Sequence, residues 1–503
     1  MKITELIGSD APSTTPWSAS SGAASLPDPE ITGLSADSRQ IQPGFLFAAL
    51  NGVATDGRRF AGEAVAKGAA AILTDEPGAL ALDERARQRT AILVDPNPQR
   101  RLALLAARFY PLCPNTIAGV TGTNGKTSVA HFTREIWQAQ GLRSASLGTL
   151  GWIVEAERHP GALTTPDPVG LHRTLHELAD RGVDHAVIEA SSHGLAQFRL
   201  DGIKFAAAAF TNLTRDHLDY HGDMDSYRAA KDRLFTALLE PDGTAVLNAD
   251  SPEFPRHAAL AAQRGHPIIA YGESATADLR LLSREPGPNG QRVGLDLFGA
   301  PHEVELKLIG DFQAMNVLAA LGLAIATGSD VGEAAAALET LTPVPGRMQF
   351  VGEKRGAAIF VDYAHTPDAL STVLAAARPH TAGRLFVVFG AGGDRDPGKR
   401  PLMGQACANA ADILYVTDDN PRTENPAAIR RAVLAGAPHA TEIGDRRRAI
   451  DTAIVGLQPG DVLVIAGKGH ETGQVVGREI LPFDDVAVAA EAISKATTVQ
   501  TPS

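Results

Sequence analysis

The stretch GVTGTNGKTSVA, residues 119–130, constrains this chain more than any other: an apolar run ends in a glycine-rich turn that opens directly into a helical pattern. Upstream, TIAGV reads as a short buried strand. Downstream, Val129, Phe132, Ile136 and Trp137 recur at helical spacing until Gly141 supplies a stop. A glycine-rich loop between a strand and a helix N-terminus lets backbone N–H groups close around an anion, and the helix dipole adds positive potential. Gly122, Thr123, Asn124 and Gly125 then form the cradle, Lys126 reaches the outer phosphates, and Thr127 offers its hydroxyl to magnesium. An ordinary glycine-rich turn requires neither the lysine nor the hydroxyl. Gly119 to Gly125 is one residue longer than the common G-x-x-x-x-G-K-[ST] spacing, so the pattern predicts a variant loop for a nucleotide triphosphate.

A chain of 503 residues has room for about three domains. Its two cysteines, Cys113 and Cys407, cannot build a disulfide framework, and the start MKITELIGSDAPSTTP lacks a basic stretch followed by an apolar core. A cytosolic compartment is expected. VLAALGLAIA at 317–326 falls short of a membrane span and suits a packed helix, so no membrane insertion is expected. A net charge of −12 argues against nucleic acid as a polymer, which needs a positive surface. An anionic small substrate remains compatible if arginines and lysines are focused locally.

Residues 9–30 are rich in Ser, Ala and Pro and read as a flexible loop or insertion without chemistry. From 31 to about 110, the runs FLFAAL and AAAIL and a helix near 60–68 suggest a small α/β unit, and 1–110 is taken as the first domain. The second, 111–346, holds the phosphate loop, the strands HAVIEAS and AAAAFTNL, and later VGLDLF and VELKL in a turn-rich segment. In the third, 347–503, IFVDYA, RLFVVFGAG, DILYVTD and DVLVIAG alternate with helical stretches, the pattern of a parallel doubly wound sheet. The fold class expected is therefore α/β in three domains. Ligands gather beyond the carboxyl ends of strands in such sheets. The loops found there, DYAHTPD, GAGGDRD, TDDNPR and AGKGHE, are dense in charge and glycine, although each alone could be a solvated turn.

In the second domain, HAVIEASSHGL puts Glu189 at the end of a buried strand, where a carboxylate beside a phosphate loop can hold magnesium. Taken alone, it could equally face water. FTNLTRDHLDYHG adds Asp216, His217, Asp219 and His221, and His217 gains its weight from these neighbours. Lys231 is the odd residue: Tyr227, Leu234, Phe235 and Leu238 lie at −4, +3, +4 and +7, which puts its ammonium on an apolar helix face. Spacing alone favours snorkelling, with the head group in water. The alternative is a desolvated, neutral amine open to carbamylation by carbon dioxide.

GVTGTNGKT, EASSHG, TNLTRDHLDYHG with its following lysine, GDFQAMN, PGRM and DYAHTP together resemble the motifs of the ATP-dependent Mur ligases of peptidoglycan synthesis, over nearly the whole chain. TTPDP at 164–168, GGDRD, DDNPR and GKGHE are most similar to the branch that adds meso-diaminopimelate. The resemblance implies an N-terminal domain for the UDP moiety, a central ATPase domain and a Rossmann-like C-terminal domain. It implies that Lys126 and Thr127 hold the ATP phosphates and one magnesium ion, that Glu189, His217 and Lys231, the last as a carbamate (N6-carboxylysine), ligate a second, and that Asn316, Arg347 and Asp362, with His365 nearby, contact ATP. It further implies that Ser38 contacts uridine, that Thr164, Thr165, Ser191, Gln197 and Arg199 contact the muramoyl peptide, and that Arg395, Asp419, Asn420, Pro421, Arg422, Gly467 and Glu471 form the diaminopimelate pocket. Gln313 departs from the asparagine many relatives carry, with a change in nucleotide packing as its expected consequence.

The activity implied is transfer of the ATP γ-phosphate to the D-glutamate γ-carboxylate of a UDP-muramoyl dipeptide, then attack by the diaminopimelate amine on the acyl phosphate. ATP and magnesium are the expected cofactors, the partners are small molecules, and a monomer is expected. Rival readings are a lysine-adding relative, another Mur ligase or a folylpolyglutamate-type ligase, a nucleotide-hydrolysing switch, and a binding protein for UDP-sugars. An acidic strand-end pocket fits an amino acid better than the last two.

Overall fold

The computed structural model describes residues 1–8, 28–52, 55–161, 163–287 and 290–498. Most of the Ser/Ala/Pro-rich stretch, 9–27, therefore lies outside the described residues. At the N-terminal end, strands Gly33–Ser35, Phe45–Ala48, Ala71–Thr74 and Ala91–Val94 form a four-stranded parallel sheet in sequence order. AILT at 71–74 is buried throughout, as befits a strand covered on both faces.

An eleven-stranded sheet forms the middle of the molecule. Its centre is parallel, and the phosphate-loop strand Thr116–Thr121 lies between Phe205–Phe210 and His185–Glu189. Antiparallel strands extend both ends, Gly151–Val154 and Glu157–His159 at one side and Gly290–Leu297 and Ala300–Leu306 at the other. Gly119 sits within the central strand because a Cβ there would come within 2.9 Å of the Phe205 ring. VLAALGLAIA belongs to the buried helix Asp311–Ala326, which packs against helix Lys126–Ala139 and the sheet. A Cβ on its Gly322 would meet Val246 at 2.6 Å. No helix among the described residues is long and apolar enough to cross a membrane.

The C-terminal sheet has the order Gln349–Lys354, Ala357–Asp362, Val462–Ala466, Leu385–Phe389, Ile413–Val416 and Thr441–Glu442. The four apolar runs form its parallel core, but the sheet is mixed rather than purely parallel: Gln349–Lys354 pairs antiparallel to Ala357–Asp362. That edge strand is half-exposed and carries a register shift between Phe350 and Gly352, so it has no continuous apolar run to announce it. A separate hairpin, Gly473–Val476 with Glu479–Pro482, follows the last parallel strand.

Candidate functional site

The loop after strand Thr116–Thr121 is shaped by glycines at positions no other residue suits. Gly122 has φ 147° and Gly125 φ 89°. A Cβ on Gly122 would lie 1.9 Å from Thr211 Oγ1, and one on Gly125 2.5 Å from Asn316 Oδ1. The loop is tied to the TNLTRD segment: Asn212 Oδ1 accepts from Asn124 N at 2.9 Å, and Thr211 Oγ1 donates to Asn124 O at 2.6 Å. Lys126 Nζ donates to the Gly122 and Thr123 carbonyls, both at 2.9 Å, and burial pushes its pKa down. Gly122→Ala is expected to destabilise the protein by about 1–3 kcal/mol from backbone strain alone and to abolish thermal stabilisation by ATP. Melting curves with and without nucleotide check this, and wild-type curves would contradict it.

Glu189 does not face water. It is 2% exposed, and its carboxylate accepts from Thr127 Oγ1 at 3.0 Å, Thr149 Oγ1 at 3.0 Å and Thr149 N at 2.8 Å. Gly148 must lack a Cβ, which would come within 1.9 Å of Glu189 Oε1. Thr149 was not singled out in the sequence, where nothing distinguishes it from other threonines. Lys231 does not snorkel either. Its side chain is buried, Nζ donates to Gly122 O at 2.7 Å, and the ammonium lies 4.3 Å from the Tyr227 ring centroid. Helix Met224–Arg233 passes into a π turn at Leu234–Leu238, and Leu234, Phe235 and Leu238 all enter the core. Burial, reinforced by Lys126, holds the Lys231 pKa well below the ordinary lysine range.

His217 adopts φ 55° and lies 3.5 Å from Asp216 through Nε2. Burial outweighs the Asp216 carboxylate and lowers the imidazole pKa. His217, Glu189, Lys231 and Thr127 line one cavity of about 250 Å³. Among the described residues no group of three or more His, Cys, Asp or Glu side chains has metal-binding geometry.

The same cavity is lined by Asn316, Arg347, Asp362 and His365. Asn316 Nδ2 donates to Gln313 Oε1 at 3.1 Å, so the departing glutamine orients the asparagine that abuts Gly125. Arg347 Nη2 donates to Thr127 Oγ1 at 3.1 Å, and its guanidinium lies 4.5 Å from the Tyr363 ring centroid. Asp362 accepts from Met348 N and Ala364 N, each at 2.7 Å, while burial pushes its pKa up. His365 Nδ1 lies 2.9 Å from Tyr363 O, and burial lowers its pKa. The C-terminal strand ends thus face the phosphate loop. Asp368 accepts from Asn124 Nδ2 at 3.0 Å, and Arg215 pairs with Asp396 at 3.3 Å.

Thr164, Thr165, Ser191, Gln197 and Arg199 form a connected run. Thr164 and Thr149 hydroxyls are 3.1 Å apart, Thr165 Oγ1 lies 2.9 Å from Ser191 Oγ, Arg199 Nη1 donates to Thr165 O at 2.6 Å, and Arg199 Nη2 to Gln197 Oε1 at 2.6 Å. Ser38 stands apart, buried in the short 3₁₀ turn Ser38–Gln40 of the N-terminal unit and outside the cavity lining.

The remaining candidates gather on the C-terminal unit. Asn420 Nδ2 donates to Glu471 Oε2 at 2.9 Å, and Asp419 is buried with Oδ1 unpartnered among the described residues. Gly467, at φ 120°, leaves room for Asp419, since a Cβ there would lie 3.0 Å from Oδ2. A Cβ on Gly393 would be 2.0 Å from Pro421 O, so the close approach of the GGDRD and DDNPR loops at that point requires glycine. Arg422, at φ 50°, donates from Nη1 to Gly393 O at 2.8 Å. Arg395 lies near enough to His193, across the cleft, to help burial and Arg199 lower that imidazole's pKa. None of the seven lines the 250 Å³ cavity. Lys468 and Gln474, which bond to this cluster, were not singled out; Lys468 lies within the GKGHE motif.

Comparison with known proteins accounts for this arrangement. The chain matches the Mur ligase family, catalytic domain, at residues 30–110, the Mur ligase middle domain at 120–324, and the Mur ligase, glutamate ligase domain at 346–469. It is 53% identical over 473 residues to a UDP-N-acetylmuramoyl-L-alanyl-D-glutamate--2,6-diaminopimelate ligase of Caulobacter vibrioides, covering 93% of this chain and 96% of that protein. A protein of the same name from Bradyrhizobium diazoefficiens is 50% identical over 500 residues, covering 98% and 99%. A solved structure of a ligase with that name superposes with a TM-score of 0.67 at 36% identity, covering 94% of this chain and 96% of that one. MurF from Acinetobacter baumannii, at 19% identity and a TM-score of 0.63 over 93% and 95%, shares the fold. With matched segments running from the N-terminal sheet through the phosphate loop to the GKG turn, and relatives this similar along their whole length, the chain belongs to the Mur ligase family.

Proposed function

We propose that this protein is an ATP-dependent ligase that joins meso-diaminopimelate to the D-glutamate γ-carboxylate of UDP-N-acetylmuramoyl-L-alanyl-D-glutamate, a step of peptidoglycan precursor synthesis. The names of its relatives at about 50% identity support the substrates. The observation that carries the chemistry is the Arg347–Thr127 hydrogen bond between the C-terminal segment and the phosphate loop, which joins the carboxyl ends of two sheets over one cavity. The reading assigns the UDP moiety to 1–110, with Ser38 at uridine, ATP to 111–346, and the incoming amino acid to 347–503. It extends to a monomer acting in the cytosol on small molecules.

A carboxylate resists attack by an amine because oxide is a poor leaving group, and phosphorylation removes that obstacle. The γ-carboxylate attacks the ATP γ-phosphorus, the bond to the β–γ bridging oxygen breaks, and ADP leaves with its electron pair. Two anions must meet, so Lys126 swings from the loop carbonyls to the phosphate oxygens, and Arg347 adds a second cation. Asn316, Asp362 and His365 orient the nucleotide. Thr164, Thr165, Ser191, Gln197 and Arg199 hold the peptide. The neutral amine then attacks the acyl carbon, the bond to the phosphoryl oxygen breaks, and phosphate departs with the proton the nitrogen gives up, a step that must be kept from water.

The donor set fits magnesium on one condition. An ammonium donates and cannot ligate, so Lys231 would join Glu189 and His217 in holding an oxygen-seeking cation only when it carries carbon dioxide as a carbamate, while Thr127 would hold another beside the phosphates. Burial of Lys231 supports this, because it favours the neutral amine that reacts. Magnesium bound there would supply positive charge to the phosphate oxygens.

Phosphate release from ATP with the UDP-muramoyl dipeptide tests the assignment. Release is expected with meso-diaminopimelate and not with L-lysine or without amine. Release without amine would replace the ligase by a nucleotide switch, and preference for lysine would move the protein to the lysine-adding branch.

A further inference from the structure

Lys468 is a charged side chain without exposure, at the foot of the amino-acid cluster. An ammonium has three N–H donors, and here each finds an acceptor: Asn420 Oδ1 at 3.2 Å, Glu471 Oε2 at 3.0 Å and Gly473 O at 2.6 Å. A buried charge is tolerated only when paired and fully hydrogen-bonded, and this one meets both conditions through three separate segments. Its partners are the DDNPR turn, the acidic end of GKGHE and the first strand of the terminal hairpin.

The consequence for Asn420 follows from donor counting. Its Oδ1 accepts from Lys468 Nζ and also from Val475 N at 2.9 Å, and both of those groups can only donate. The amide therefore has one permitted orientation, with Nδ2 toward Glu471 at 2.9 Å. Glu471 Oε2 is then occupied by Asn420 and Lys468, while Oε1 has no hydrogen bond among the described residues and the side chain stays 32% exposed. One carboxylate oxygen is held still and the other faces outward.

We propose that Lys468 is a positioning residue: it locks the Asn420 amide and one oxygen of Glu471, so that the amino-acid pocket presents a fixed donor and a fixed, partly neutralised acceptor to a zwitterionic substrate. The proposal rests on the ligase reading. Without the ammonium, Asn420 Oδ1 keeps only the Val475 N–H of its two donors, and Glu471 loses its cation and is held by the Asn420 amide alone.

The test is steady-state kinetics of Lys468→Met beside the unaltered protein, varying meso-diaminopimelate, ATP and UDP-muramoyl dipeptide in turn. The expected result is a KM for diaminopimelate raised about tenfold or more, with the other two KM values within about twofold and kcat at saturation little changed. A purely structural role would move all three constants together and lower the melting temperature in step, and that outcome overturns the proposal, as does an unchanged diaminopimelate KM. Should Lys468→Met give no cooperative melt, Lys468→Gln keeps two N–H donors without the charge. An intermediate, selective rise in the same KM supports the proposal, and a wild-type KM in that folded variant overturns it. Absence of diaminopimelate-dependent turnover in the unaltered protein overturns the ligase reading and this proposal together, whereas normal turnover with the wrong KM pattern overturns the role of Lys468 alone.

Discussion

Replacing Lys231 by alanine is expected to lower amine-dependent phosphate release by about 10²- to 10³-fold, the range for losing one preorganised charge-stabilising group, with partial recovery by added acetate or formate. The unmodified ammonium is a poor resident of this site: it is buried, and its cationic neighbour Lys126 donates to the same Gly122 carbonyl. Capture of carbon dioxide by the neutral amine turns a like-charge pair into an attractive one and puts two carboxylate-type oxygens near Glu189. A short free carboxylate can supply those oxygens in the alanine variant, which is why rescue is the informative arm. Intact-protein mass measurement under carbon dioxide should find the adduct in the unaltered protein and not in the variant. The carbamate forms only from the unprotonated amine, so it is lost as pH falls, and the unaltered enzyme should lose activity in degassed, mildly acidic buffer. Full activity in Lys231→Ala would remove Lys231 from the site.

Arg422→Ala should reduce kcat/KM for meso-diaminopimelate by about 100-fold or more while leaving the KM for ATP within about twofold. Truncating one partner of a desolvated, hydrogen-bonded charge pair costs about 2–5 kcal/mol, and each 1.4 kcal/mol is about a factor of ten. The guanidinium is pre-aimed: Nη1 is anchored on Gly393 O, the backbone is held at φ 50°, and the Arg422 amide donates to Val475 O at 3.0 Å. Nε and Nη2 have no hydrogen bond among the described residues, leaving a fork for the distal carboxylate that diaminopimelate has and lysine lacks. The variant should not gain use of lysine, because losing a repulsive cation creates no partner for the lysine ammonium. Unchanged diaminopimelate kinetics would sink the assignment of this pocket.

Much of the site was legible because phosphate chemistry demands particular residues at short range. Gly122, Gly125, Lys126 and Thr127 lie within one turn of chain, and their conformations follow from loop sterics that a sequence pattern encodes. The four apolar runs of the C-terminal unit were likewise legible, three of them because strands covered on both faces must be apolar throughout. The edge strand Gln349–Lys354 was not, because a half-exposed strand with a bulge has no such pattern. Thr149 was invisible for a different reason. Its hydroxyl and amide both serve Glu189, forty residues further on, and no local feature records that contact.

Lys231 divides the two kinds of information most clearly. By itself the sequence determined that a lysine lies on an apolar helix face, as helical periodicity is a local property. Whether its head group escapes to water was decided only by the tertiary structure: the phosphate loop, brought from more than a hundred residues away, roofs the ammonium and offers the Gly122 carbonyl at 2.7 Å. Desolvation depends on everything that packs around a group, and the chain alone does not state what will be there until distant segments have met.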